Sequence, residues 1–201
     1  LSGSLKTTDS ESDVVVTTGT DSGDITLSGT TRALGQVNMT AAGGSITDGS
    51  DGDLAIAGLA EFTAGTSIVL GSGDFNAGSL TFDSGGSVNL TEDSSMLIAD
   101  ASRAAGLDLV STSNVTLNAS VTVVGDTSIN ANDDITVNAA VVASDQITVS
   151  AGEDGSGSFV LGLSGSLKTT DSESDVVVTT GTDSGDITLS GTTRALGQVN
   201  M

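Results

Sequence analysis

Short apolar couples separated by a single polar residue recur along the whole chain, as in Ile25-Thr26-Leu27, Val88-Asn89-Leu90, Val115-Thr116-Leu117 and Ile135-Thr136-Val137. Alternation with a period of two puts the outer side chains on one face of a strand and the middle one on the other. Each couple therefore predicts a strand of three to five residues with an apolar inner face. Clusters such as Gly43-Gly44, Asn132-Asp133-Asp134 and Gly155-Ser156-Gly157 separate the couples and supply turns and left-handed backbone.

Aligned, the couples form a ladder through Val16, Met39, Phe62, Phe82, Leu109, Ile129, Val149 and Val178, with steps of 23, 23, 20, 27, 20, 20 and 29 residues. A second ladder runs through Ile25, Ile46, Ile68, Val88, Val115, Ile135, Phe159 and Ile187, and a less regular third includes Leu54/Ile56, Phe75, Met96 to Ile98 and Val121/Val123. About three short strands in every 20 to 29 residues predicts an all-β, parallel β-solenoid, in which a coil buries its apolar couples only by stacking on its neighbours. The alternative is a string of β-sandwich modules. Such modules need about 90 to 100 residues and usually a large core aromatic, and the strand spacing here fits them less well.

A longer period overlies the short one. Residues 1–39, LSGSLKTTDSESDVVVTTGTDSGDITLSGTTRALGQVNM, return without a substitution at 163–201. Residues 1–162 thus read as one full unit of about seven coils, and 163–201 as the start of the next identical unit, with no linker between. Seven coils at about 4.8 Å make a unit about 34 Å long. The copy stops inside its V-N-M strand, so the array is expected to continue past Met201. Two stretches break the rhythm: residues 96–110, MLIADASRAAGLDLV, where Ala, Leu and Arg predict a turn or two of helix before Gly106, and residues 162–175, with Lys168, which read as a protruding loop.

Composition narrows the chemistry. The chain has no Pro, Cys, His, Trp or Tyr and only four Phe. The lack of Pro suits strands that are nearly all interior to a sheet, and the lack of Cys and His removes thiolates and the commonest neutral base. No G-x-S-x-G, P-loop or H-E-x-x-H pattern occurs, so the chain is not expected to be an enzyme. No run approaches the roughly eighteen apolar residues of a spanning helix, and no membrane insertion of this segment is expected. The first 162 residues hold 21 acids against Lys6, Arg32 and Arg103, a net charge of −18. A surface so acidic repels nucleic acid and anionic lipid and attracts cations. At about 2 Å per charge along the rod, side-by-side packing should need salt or diffuse divalent cations.

One turn is richer in oxygen donors than the rest. Asp48-Gly49-Ser50-Asp51-Gly52-Asp53 makes Asp48, Asp51 and Asp53 candidate Ca²⁺ ligands, although Leu59 occupies the place an EF-hand gives to Glu. A solvated acidic turn is the plainer reading, as it is for Asp9/Glu11/Asp13, Asp21/Asp24 and Asp133/Asp134. No cofactor is required. Outward Thr26, Thr47, Thr116, Thr136 and Thr148 hint at an ice-binding array, which Val69 and Asn89 interrupt. Arg32, Arg103 and Lys6 read as ion-pair partners rather than sugar-binding groups of a polysaccharide-active solenoid. Sequons stand at Asn38, Asn89, Asn114 and Asn118.

Segments such as SGDITLSGTTRALGQVNMTAAGGSITD, DDITVNAAVVASDQITVSAG and SNVTLNASVTV resemble the repeat regions of very large bacterial exoproteins related to filamentous haemagglutinins and autotransporter-type adhesins. The resemblance implies a right-handed parallel β-helix shaft, extracellular on the cell surface, used in adhesion, biofilm or fibre formation. The expected role is thus structural, with self-association of adjacent repeats and fibre bundling. The alternative is a multivalent carbohydrate- or cation-binding module, its partners cell-surface or matrix glycans, displayed on residues 96–106 and 162–175.

Overall fold

A computed structural model describes residues 4–9 and 11–201. Among them there is no helix, and every strand pair is parallel. The chain winds through about nine turns of a three-sided β-solenoid.

The first turn comprises β1 (Leu5–Lys6), β2 (Val14–Thr18) and β3 (Ile25–Leu27), one strand per side, and the second β4 (Thr31–Ala33), β5 (Val37–Ala41) and β6 (Ile46–Asp48). In the third, β7 (Leu54–Ala64) covers two sides, its register broken between Ile56 and Leu59, and β8 (Ile68–Leu70) the last. In the fourth, β9 (Phe75–Ser84) likewise covers two sides and β10 (Ser87–Glu92) the third. The fifth turn holds β11 (Met96–Ile98), β12 (Ser102–Ala104) and β13 (Gly106–Ser111); the sixth β14 (Val115–Leu117), β15 (Val121–Val123) and β16 (Thr127–Ala131); the seventh β17 (Ile135–Val137), β18 (Ala140–Ala143) and β19 (Ile147–Ala151). The eighth and ninth are β20 (Phe159–Leu161), β21 (Ser166–Thr169) and β22 (Val176–Thr179), then β23 (Ile187–Leu189), β24 (Thr192–Arg194) and β25 (Val199–Asn200). Third-side strands form one nine-stranded sheet, and the other two sides join into a sixteen-stranded sheet through β7 and β9.

The period-two couples behave as their pattern dictates. Ile135 and Val137 are fully buried while Thr136 faces out, and the same holds for β3, β14 and β16. The interior is a column of stacked aliphatics with all four Phe fully buried, and the rings of Phe62 and Phe75 meet edge on, with centroids 6.1 Å apart and planes tilted by 59°. Both sheets run through residue 162 without a break.

Three expectations need correction. Residues 96–110 are not helical: β11, β12 and the start of β13 pair with the turns on both sides. Ala and Leu favour helix only weakly, and a ladder with partners above and below outweighs that preference. Residues 162–175 are not one loop, since Ser166–Thr169 forms β21 against β18, which leaves Lys168 outward beside Val142. The third correction concerns the ladders. Val16, Met39, Phe62 and Phe82 do stack on one another, and so do Leu109, Ile129, Val149 and Val178, but the first set lies on the second side and the other on the third. The second ladder divides at the same place: Ile25 to Val88 lie on the third side, Val115 to Ile187 on the first. The 27-residue step that looked like an excursion is a change of side.

Strand lengths explain the change. In the first three turns the five-residue strand is on the second side, in β2, β5 and the end of β7. From the fifth to the seventh turn the long strand is on the third, in β13, β16 and β19, of six, five and five residues. The fourth turn has two consecutive long strands, the second half of β9 followed by β10, and this extra length moves the corner. Leu80, near the start of the second side and paired below with Ala60, is paired above with Ile98 at the end of the first.

Candidate functional site

Carboxylates at the corners hold successive turns together. An Asp directly before a strand accepts a hydrogen bond from the backbone N–H of the equivalent residue one turn later: Asp13 from Gln36 (2.8 Å), Asp24 from Ser45 (2.8 Å), Asp126 from Gln146 (3.1 Å), Asp134 from Ser158 (2.8 Å) and Asp175 from Gln198 (2.6 Å). Asn114 and Ser158 take the same part toward Asp134 and Asp186. A corner N–H has no strand partner, and an ionised oxygen is its strongest substitute. Part of the acidity of the chain is thus a structural device. Its sequence signal, Asp followed by a β-branched or apolar residue, is visible in D13-V14, D24-I25, D134-I135 and D175-V176.

The three candidate calcium ligands are placed differently from one another. Asp48 turns toward the following turn, where its carboxylate accepts from the N–H groups of Gly71 (2.8 Å), Ser72 (3.2 Å) and Gly73 (3.4 Å). Asp53 accepts from the hydroxyl of Thr30 (3.3 Å), on the preceding turn, and Asp51 is exposed. Among the described residues no group of three acidic side chains is disposed to hold a metal ion. Arg103, one of the expected ion-pair partners, binds Asp83 through two nitrogens, the closest contact being 2.9 Å, with both side chains largely exposed.

A cluster that sequence reading missed lies where the corner moves. Glu92, at the end of β10, is fully buried. Its Oε1 accepts from the backbone N–H of Ala77 (2.9 Å) and from the hydroxyl of Ser94 (3.2 Å), while Oε2 has no partner. Burial pushes its carboxyl up to about 7, the bonds from Ala77 and Ser94 pull it down, and neighbouring Asp93 adds to the rise. Ser102 accepts from the N–H of Phe82 (3.2 Å), and Ser111 donates to the carbonyl of Ser94. Thr81, Ser84, Glu92, Ser102 and Ser111 are all buried and fall in this one stretch. Where two turns with different corners meet, the ladder leaves backbone groups over, and these side chains take them up. The readable signal was a lone Glu in the alternating run V-N-L-T-E, on the same face as Val88 and Leu90.

The repeated sequence provides an internal comparison. Leu27, Val37 and Met39 are 0% exposed, whereas their counterparts Leu189, Val199 and Met201 are 46%, 46% and 48% exposed. The asymmetry reverses at the other end: Leu5 is 40% exposed and its counterpart Leu167 0%. Identical residues are therefore buried wherever another turn lies against them and open where none does. Comparison with family models, curated proteins and solved structures gives no match.

The rest of the surface is shallow. The hollow bounded by Thr30, Arg32, Asp53, Asp74, Asn76 and Asp93 is open and carries acids from three successive turns. The stretch 96–106, read as a display loop, is built into the ladder, and the irregular excursions are instead the turns at 152–158 and 170–175, where Glu153, Asp154, Asp171 and Glu173 are exposed.

Proposed function

We propose that this chain is a length of shaft from an extracellular filament or giant surface adhesin, built from tandem 162-residue units that stack as one uninterrupted β-solenoid. The observation that carries this reading is the pair of copies: residues 163–201 repeat 1–39 without a substitution, and both sheets pass from one copy into the other without a break. The acidic corners keep neighbouring shafts apart in low salt, and diffuse divalent cations let them bundle. Adhesion to glycans, if the filament performs it, belongs to the exposed turns rather than to a pocket. In this role the chain has no catalytic part. The test is cryo-microscopy of a chain of four consecutive units. The expected image is a continuous rod with a 4.8 Å axial repeat; separate beads joined by flexible segments would overturn the reading.

A further inference from the structure

The two copies of the 39-residue segment do not occupy the same sides of the solenoid. Leu5–Lys6 forms β1 on the first side, while its counterpart Leu167–Lys168 lies in β21 on the second. Val14 stacks under Val37 in the sixteen-stranded sheet, and Val176 stacks on Ile147 in the nine-stranded one. Ile25 lies on the third side and Ile187 on the first. Between the copies the chain passes twenty strands, of which β7 and β9 cover two sides each, and so traverses 22 sides.

We infer that successive units of the shaft are related by a screw: each advances seven and one third turns, so that each is rotated by one side, about a third of a turn, against the last. This rests on the tandem-shaft reading. Two observations carry it. First, side-chain bonds that join the segment to the next turn survive the move. Asp13 accepts from the N–H of Gln36 at 2.8 Å on the second side, and Asp175 accepts from that of Gln198 at 2.6 Å on the third; Thr7 accepts from Leu34 at 3.0 Å, and Thr169 from Leu196 at 3.2 Å. The three sides are thus interchangeable hosts for one sequence. Second, the slip is built in: the two long strands of the fourth turn produce it, and the buried Glu92, Ser102 and Ser111 take up the backbone groups it leaves over. The rise per unit is about 35 Å, and a given side regains the same sequence only after three units and 22 turns, about 106 Å. A turn such as 152–158 therefore points in three directions in succession, and the shaft shows every exposed feature to all quarters around its axis. A partner surface or a neighbouring shaft meets the same features whichever way the rod is turned.

The chain has no cysteine, so its register can be read by paired substitutions. Asn89 is paired with Asp108, both outward on adjacent strands, whereas a seven-turn unit would stack Asn89 on Thr116. N89C/D108C should form a disulfide on mild oxidation and N89C/T116C should not. Bridging of Asn89→Cys with Thr116→Cys, or failure of both pairs, would sink the inference. In the four-unit chain, a side-chain trace should show the counterpart of Val14 moving on by one side in every unit. A continuous rod that keeps it on the same side overturns the screw and leaves the shaft standing, and separate beads overturn the shaft itself.

Discussion

Gly86 lies so close above Thr66 that a β-carbon on it would overlap the Thr66 carbonyl oxygen. No side chain gives way there, because the obstacle is backbone. Gly86→Ala should destabilise the protein by about 2–4 kcal/mol. At Gly19 a β-carbon meets nothing within 4 Å, and Gly19→Ala should be neutral or stabilising by up to about 1 kcal/mol. Urea titration followed by circular dichroism compares the two, and equal midpoints would contradict the stacking at that corner.

Glu92 gives a pH dependence of known sign. Its folded pKa of about 7 lies above the ordinary value of 4.5, so the folded chain holds this proton more tightly than the unfolded one. The stabilisation is complete below about pH 4.5, is lost as pH rises to about 7, and changes no further above that. The loss is on the order of 3 kcal/mol. Glu92→Gln keeps an acceptor for Ala77 and cannot ionise. The stability of E92Q relative to the parent should therefore grow between pH 4.5 and 7 and then level off. A pH-independent difference between the two would mean that the folded and unfolded chains ionise this carboxyl alike, and that burial does not raise it.

The corner carboxylates are separable from the bulk acidity. Removing Asp134 leaves the Ser158 N–H without its 2.8 Å acceptor, and Asp134→Ala should cost about 1 kcal/mol and speed amide exchange at Ser158. Asp51→Ala, at an exposed position, removes the same charge and should cost less than about 0.5 kcal/mol. Equal effects would mean that charge, not the bond, sets the contribution.

Extending the chain beyond Met201 with the sequence of residues 40–64 should protect its last turn. Leu189, Val199 and Met201 then reach the burial of Leu27, Val37 and Met39, which is worth about 3 kcal/mol or more in all. Amides of Ile187–Leu189 should exchange at least about a hundredfold more slowly. Unchanged exchange would contradict the stacking of residues 40–64 on the second copy as they stack on the first.

Strands and their inner faces were legible because alternation in a couple such as Ile135-Thr136-Val137 is a local property, and the parallel stack followed from spacing. The side of each strand was not. Val88 to Val115 and Phe82 to Leu109 both step by 27 residues, and a step in sequence does not say whether the extra residues bulge outward or lengthen a side. Only the consecutive long runs at 79–84 and 87–92 separate the two cases. Helix was expected at 96–110 because propensity is read along the chain, whereas the partners of Ser102 and Leu107 lie about 20 residues away on either side. The acidic turns read as solvent-facing for a similar reason: the groups that Asp48 and Asp134 satisfy belong to the next turn.

Every ladder bond in this fold joins one turn to the next, and so runs along the axis of the rod. Tension on the shaft loads these bonds end-on, and the turns can come away singly, each releasing some 20 to 29 residues of slack. Fully drawn out, 162 residues span about 550 Å against about 35 Å folded. A shaft held at one end and pulled at the other would lengthen some fifteenfold before its covalent chain bore the full force, and would act as a shock absorber that rewinds turn by turn when the load is released.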